Sequence, residues 1–381
     1  MYIATAAIIV VILGVGAYLY FFGGKAAVVV APSTGTSFPS AGQQGGGASG
    51  ASAQNPAVAL PSAAAQKVTA RLVEIATGPV VPGVVAVDAS STNATSSSTP
   101  DIAVKFVDRQ SGNLYDYLVR AGTLTRTSNQ TIPGIERAWW LPDGSRVYAQ
   151  YLSGSDFKTV NTYSLSADGS SGFFLPQNLA DLATAAANIL TLSSGANGSS
   201  GSVAKTDGTK AAQTFSTPLS AVRASFAGTG SYLVFTKPSA TLLGNAYFVN
   251  NAGQFSRVAG PLNGLVALAS PSGKWLLVSY TTSDGAMHLE LVSAADGSAT
   301  QLPVATIADK CMWAADSSAA YCGVPISPPT GYAYPDDWYQ GAVHFNDRIW
   351  KIDVTGRFAS LVLDFNTETK GGSLDATGRR H

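Results

Sequence analysis

In the stretch SPSGKWLLVSY, Ser270 to Tyr280, a Pro-Ser-Gly turn leads at once into a run of aromatic and aliphatic positions. A little further on, His288-Leu289-Glu290-Leu291-Val292 alternates polar and apolar with period two, the pattern of a half-buried strand. The same succession of turn and strand returns as LPDGSRVYAQY from Leu141, FAGTGSYLVFT from Phe226 and WAADSSAAYCGV from Trp313. Gly144, Gly230, Gly273 and Ser317 mark these turns at intervals of 86, 43 and 44 residues. The first interval is two periods long. It predicts a degenerate turn near Ala187 and Asn188, where DLATAAANILTLSS supplies small residues followed by Ile189, Leu190 and Leu192.

Each unit carries a second turn in the same relative place, at Gly122, Gly169, Gly208, Gly253, Gly297 and Gly356. A unit therefore reads as strand, tight turn, strand, loop, strand, Asp/Asn-Gly-type turn, strand. Four strands in about 40–45 residues, repeated, is the signature of a β-propeller blade. A β-sandwich fits less well, because its strands do not recur as four-strand modules. The expectation is an all-β chain with seven four-stranded blades, the last incomplete. The first blade runs from about Val80 to Thr131, and others start near Ile132, Gly172, Leu219, Leu262 and Ala305. A seventh begins near Ala359 with SLVLDFNTETKGG and stops, so either the reading frame ends early or VTARLVEI, Val68 to Ile75, closes the ring.

Before the repeats the pattern changes. Tyr2 to Gly24 carries no charge and Lys25 closes it, a run long enough to cross a bilayer as a helix and longer than a signal-peptide core. Residues 26–66 hold no charge, and their centre, SAGQQGGGASGASAQNPA, cannot bury enough apolar surface to fold. The expected organisation is a transmembrane anchor over 1–25, a flexible linker over 26–66 and a propeller over 67–381. Such a spacer suits a head held away from the membrane, on its extracytoplasmic side.

Composition sharpens the picture. Hydrophobic residues make up 46% and charged residues 12%, against a typical ~25% charged in soluble domains. Lys plus Arg (23) equals Asp plus Glu (23), which leaves no net field to recruit nucleic acid. The only cysteines, Cys311 and Cys322 in KCMWAADSSAAYC, face one another if a hairpin turns at Asp316 to Ala319, and a disulfide between them would indicate an oxidising compartment. Two buried free thiols are the alternative, since the pairing depends on strand register.

No linear motif supplies chemistry. A G-x-S-x-G nucleophile elbow is absent, as are a P-loop and a dinucleotide fingerprint. The three histidines, His288, His344 and His381, have no spacing that gives two metal ligands from one element. No catalytic residue, metal or cofactor is therefore assigned. Asp168 and Asp296 read as turn residues whose side chains satisfy local donors.

One segment breaks the repeat. Between the second and third strands of the sixth unit the chain inserts PISPPTGYAYPDDWYQGAVHFN, and insertions in repeats commonly mark a binding face. Tyr332, Tyr334, Trp338 and Tyr339 put four aromatics beside Asp336, Asp337 and Gln340. These seven residues are the candidate contact site for a protein, a peptide or a glycan. The alternative is a staple, with Trp338 folded back over the channel.

SPSGKW and LPDGSRVY resemble the TolB/WD40-like (PD40) propeller repeat, also found in the propeller domains of prolyl-oligopeptidase-type enzymes. The resemblance covers roughly Val80 to Phe365 and implies the fold. The layout of anchor, spacer and propeller, with KCMW, YCGVP and YPDDWYQG, is similar to membrane-anchored propeller proteins of candidate-phylum bacteria, and that likeness implies no activity. The expected role is a non-catalytic interaction platform in the cell envelope, comparable to the docking of partner proteins by TolB. Two alternatives stand beside it: a lyase or hydrolase with a channel site assembled from several blades, and a structural part of a surface appendage.

Overall fold

The computed structural model describes residues 72–89, 100–132, 134–368 and 374–376. The anchor over 1–25 and the linker over 26–66 lie outside the described residues, and no described helix is long and apolar enough to cross a membrane.

The described chain is all-β, with its antiparallel sheets in a propeller-like arrangement. Four sheets have four strands each, in chain order. They are β1 (Val85–Ala89) to β4 (Thr123–Arg126), with β2 (Asp101–Val107) and β3 (Leu114–Leu118) between; β5 (Ile135–Trp140), β6 (Arg146–Ser153), β7 (Thr159–Ser166) and β8 (Gly172–Phe174); β9 (Leu179–Thr184), β10 (Asn188–Gly195), β11 (Gly198–Lys205) and β12 (Ala212–Thr217); and, last in the chain, β20 (Cys311–Trp313), β21 (Ala319–Pro325), β22 (Asp347–Asp353) and β23 (Ala359–Asp364). Between the third and the last lies one seven-stranded sheet: β13 (Val222–Phe226), β14 (Ser231–Thr236), β15 (Leu243–Asn250), β16 (Phe255–Ala269), β17 (Trp275–Thr281), β18 (Met287–Ser293) and β19 (Ala299–Gln301).

Seven separate blades are not what forms. β16 is 15 residues long, and it pairs with β15 as far as Asn263 and with β17 from Asn263 onward. Two repeat units thus run together through one shared strand. The segment read as the start of a seventh blade, Ala359 onward, is instead the fourth strand of the last sheet, paired with β22. Leu72 to Ile75, the described part of the proposed closing strand, forms no strand. Val80 and Val81 pair with the end of β2 instead, through a bridge to Asp108 and a 2.9 Å bond from Val81 N–H to the Val107 carbonyl. The third sheet begins at Leu179 rather than Gly172, because Gly172–Phe174 completes the second.

The tight turns fall where the repeat puts them. Gly273 has φ +70°, and a Cβ there would stand 2.5 Å from the Ala227 carbonyl oxygen of the equivalent turn on β13–β14, so only glycine fits. In the degenerate last unit Ser317 takes that conformation, at φ +63°. Its hydroxyl accepts a 3.0 Å bond from the backbone N–H of Ser272, so the neighbouring turn helps to hold it. The apolar run after each turn is the second strand and is buried: Leu276, Leu277 and Val278 are 0% exposed. Cys311 and Cys322 are register partners on β20 and β21 and form a disulfide, both nearly fully buried.

Candidate functional site

The first strands β5, β9 and β13 pack side by side, which brings residues far apart in sequence close together. Their sequences, IERAWW, LADLAT and VRASF, are mostly apolar, and each carries one inward charge: Arg137, Asp181 and Arg223. A 3-10 turn at Ala308–Lys310, just before β20, adds Asp309.

Arg223 anchors this group. Its Nη1 lies 2.7 Å from Oδ2 of Asp309, and its guanidinium stacks over the Phe235 ring at 5.2 Å. Tyr339 donates its hydroxyl to the same Asp309 oxygen at 2.8 Å. Burial works against the Arg223 charge, but Asp309, Tyr339 and Asp181 outweigh it and hold the guanidinium more firmly protonated than usual. Asp181 is buried and takes backbone N–H bonds from Leu182 and Ala224. Burial pushes its carboxyl above the usual range, against the pull of Arg223 and Arg137.

These residues open into a cleft of about 310 Å³, lined by Arg137, Arg223, Lys237, Pro238, Asp309, Asp336, Tyr339 and Gln340. The inserted loop forms one wall. It holds a single helical turn, α1 (Asp336–Tyr339).

The structure divides the seven loop residues expected to form an exposed contact patch. Tyr334 and Trp338 are buried and pack within the fold rather than standing on an exposed patch. Tyr334 donates its hydroxyl to the Pro329 carbonyl at 2.6 Å, and its ring lies 5.4 Å from Phe345. Trp338 stacks on Phe345 and donates Nε1–H to Asp375 at 3.1 Å. Asp337 accepts the Ala333 N–H at 2.7 Å, and Asp336 accepts the Ala240 N–H at 2.5 Å, which ties the loop to the β14–β15 connection. Tyr332 is exposed and lies outside the cleft lining. Tyr339 and Gln340 reach the cleft.

Beneath the loop lies a second charged cluster. The Lys310 side chain is fully buried, with Nζ 2.6 Å from Asp347 and also paired with Asp375. The rings of Trp338 and Phe345 flank the ammonium at 5.2 and 4.8 Å. Asp347 accepts the Ala376 N–H at 2.6 Å and Asp375 the Phe345 N–H at 3.0 Å, so the segment 374–376 is clamped against the loop.

Motif reading missed Arg137, Asp181, Arg223, Lys237, Asp309 and Lys310. The available signal was positional: in a chain only 12% charged, Arg137, Asp181 and Arg223 each sit on the first strand of a repeat unit. Among the described residues no group of three or more His, Cys, Asp or Glu side chains is placed to hold a metal ion.

No family model matches the sequence, and no match to a curated protein was found. Solved structures with a similar arrangement include an oligogalacturonate lyase from Vibrio parahaemolyticus (7% identity, TM-score 0.48, 76% of this chain and 87% of that one). TolB from Acinetobacter baumannii is another (9%, TM-score 0.45, 72% and 78%). A puromycin hydrolase is a third (15%, TM-score 0.48, 74% of this chain but only 45% of that one).

Proposed function

We propose that the propeller is a recognition platform that binds a peptide segment of a partner protein in the cleft beneath the inserted loop. The observation that carries this reading is the convergence of Tyr339 and Gln340 with Arg137, Arg223 and Asp309 on one cleft. A volume of about 310 Å³ falls at the small end of ligand pockets, ~300–1,000 Å³, and suits a few residues of an extended chain. The Tyr339 hydroxyl proton is committed to Asp309, which favours a positioning and contact role over proton abstraction. The disulfide supports an extracytoplasmic setting, and the uncharged run from Tyr2 to Gly24 supports an anchored arrangement of the kind seen in membrane-anchored propeller proteins.

Site-specific photo-crosslinking tests the reading. A photoreactive residue at Gln340, which lines the cleft, is expected to trap a polypeptide partner in envelope preparations. One at Phe174, exposed on β8 in the second sheet, is expected to trap none. Equal capture at both positions would overturn the cleft as the recognition site. A channel enzyme is the second reading, favoured by the same convergence of residues from several sheets.

A further inference from the structure

Three basic side chains line the cleft, and their circumstances differ. Arg223 is engaged by Asp309 at 2.7 Å, the carboxylate it shares with Tyr339. Arg137 and Lys237 form no side-chain hydrogen bond or ion pair among the described residues. Arg137 sits half-buried on a first strand, where its guanidinium carries five donors; it pulls on the Asp181 carboxyl at longer range but hydrogen-bonds no acceptor among the described residues. Guanidinium donors left half-buried without acceptors are costly unless a ligand supplies them, and the exposed Lys237 adds a second positive charge at the same cleft. The aspartates at this end of the array are already used: Asp309 by Arg223 and Tyr339, Asp336 by the Ala240 N–H, and Asp181 by two backbone N–H groups.

We infer that the cleft anchors its ligand by a carboxylate group, with Arg137 and Lys237 as the cationic contacts. A single negative charge fits better than a phosphate. Asp309 and Asp336 line the same space, and a phosphate at neutral pH, carrying up to two charges, meets about twice their repulsion. The inference rests on the peptide reading above, and the carboxylate is then either a chain terminus or an acidic side chain.

The test titrates the full-length chain with defined probes, read by calorimetry and ligand-observed NMR. These are acetyl-Ala-Ala-Ala as the free acid, the same peptide as its amide, acetyl-Ala-Glu-Ala amide, inorganic phosphate and glucuronate. At least one carboxylate peptide is expected to bind tenfold or more tightly than the plain amide. Lys237→Ala, at an exposed position, and Arg137→Gln are each expected to weaken it about tenfold, or ~1.4 kcal/mol. Arg137→Lys should restore only part, since the planar fork is lost. The free acid and the Glu peptide distinguish a terminus from a side chain. Acid and amide binding alike, phosphate binding more tightly than every carboxylate, or carboxylate binding unchanged in both variants would each overturn the inference. If a partner is still crosslinked at Gln340 while no carboxylate probe binds, the inference fails and the platform reading stands. If glucuronate binds, depends on Lys237, and no peptide does, the carboxylate anchor stands and the peptide reading fails.

Discussion

Asp168 and Asp347 are the same residue type in opposite circumstances. Asp168 sits in the β7–β8 turn with its carboxylate exposed, accepting bonds from the hydroxyls of Ser166 and Ser170 and from the Ser170 N–H. Those bonds, the Ser166 hydroxyl foremost, hold its pKa down to about 2. Asp347 is 0% exposed on β22, and burial pushes its carboxyl up, opposed by Lys310. Asp207, Asp296 and Asp316 follow the first pattern, each bonded to a Ser or Thr two residues on and each held below the usual range by local hydrogen bonds, in Asp296 the Ser293 hydroxyl foremost. Asp309 and Asp375 follow Asp347 in pairing with a basic residue distant in sequence. Turn aspartates shape single hairpins. Buried ones tie separate parts of the chain together, and the cleft is a product of those ties.

The largest effect should come from removing the cation shared by one buried and one half-buried carboxylate. Lys310→Met leaves Asp347 and Asp375 facing each other without it, which costs about 3–5 kcal/mol. Denaturant unfolding measures this, and a loss below about 1 kcal/mol would mean that water or protonation already compensates the pair. Next comes the covalent tie in the same sheet. Replacing Cys311 and Cys322 together by Ser should cost about 2–4 kcal/mol, and an unchanged thermal midpoint in the presence of reductant would show that the bridge adds little to the pairing of β20 and β21.

Asp375→Asn should cost less, about 1–3 kcal/mol. The backbone bond to Phe345 can survive in the amide while the charge on Lys310 loses one partner. Burial raises the Asp375 pKa, but the bonds from Lys310, the Phe345 N–H and Trp338 outweigh it, so its folded-state pKa lies below the unfolded one. Its contribution is therefore complete above the ordinary carboxylate range and is lost as pH falls through the depressed value. Parent and variant stabilities should converge in acid, with Trp338 fluorescence separating them at neutral pH. A gap that persists unchanged in acid would assign the effect to packing rather than charge.

The same contrast explains what could be read from the sequence. The hairpins were legible because Pro142, Gly144, Gly273 and Asp168 encode backbone conformations within four or five residues, and so was the disulfide, whose partners are 11 residues apart across one such turn. Counting blades failed where non-local structure intervened. The insertion of 21 residues between β21 and β22 displaced the last unit, so that its fourth strand passed for a seventh blade, and β16 merged two units that the turn markers kept apart. The buried fate of Tyr334 and Trp338 depended on Phe345, Lys310 and Asp375, which no local pattern connects to them. Arg137, Arg223 and Asp309 come from three separate units and meet only when the sheets assemble.

The smallest effect tests the local side of the comparison. Asp168→Ala removes three acceptor contacts from one exposed turn while leaving Gly169 free to keep φ +71°. At neutral pH it should lower the thermal midpoint less than any substitution above, because water replaces the lost partners. The carboxylate's folded-state pKa of about 2 lies below its ordinary 3.8. Its stabilisation is thus fully present above about pH 5 and is lost as pH falls towards 2. The difference in midpoint between parent and variant, followed by calorimetry from pH 6 to about 2, should therefore shrink to a small fraction of its neutral value at the acid end. A difference independent of pH would mean that the aspartate acts by fixing the turn's backbone rather than through its charge, and the line between turn aspartates and buried ones would have to be drawn on geometry alone.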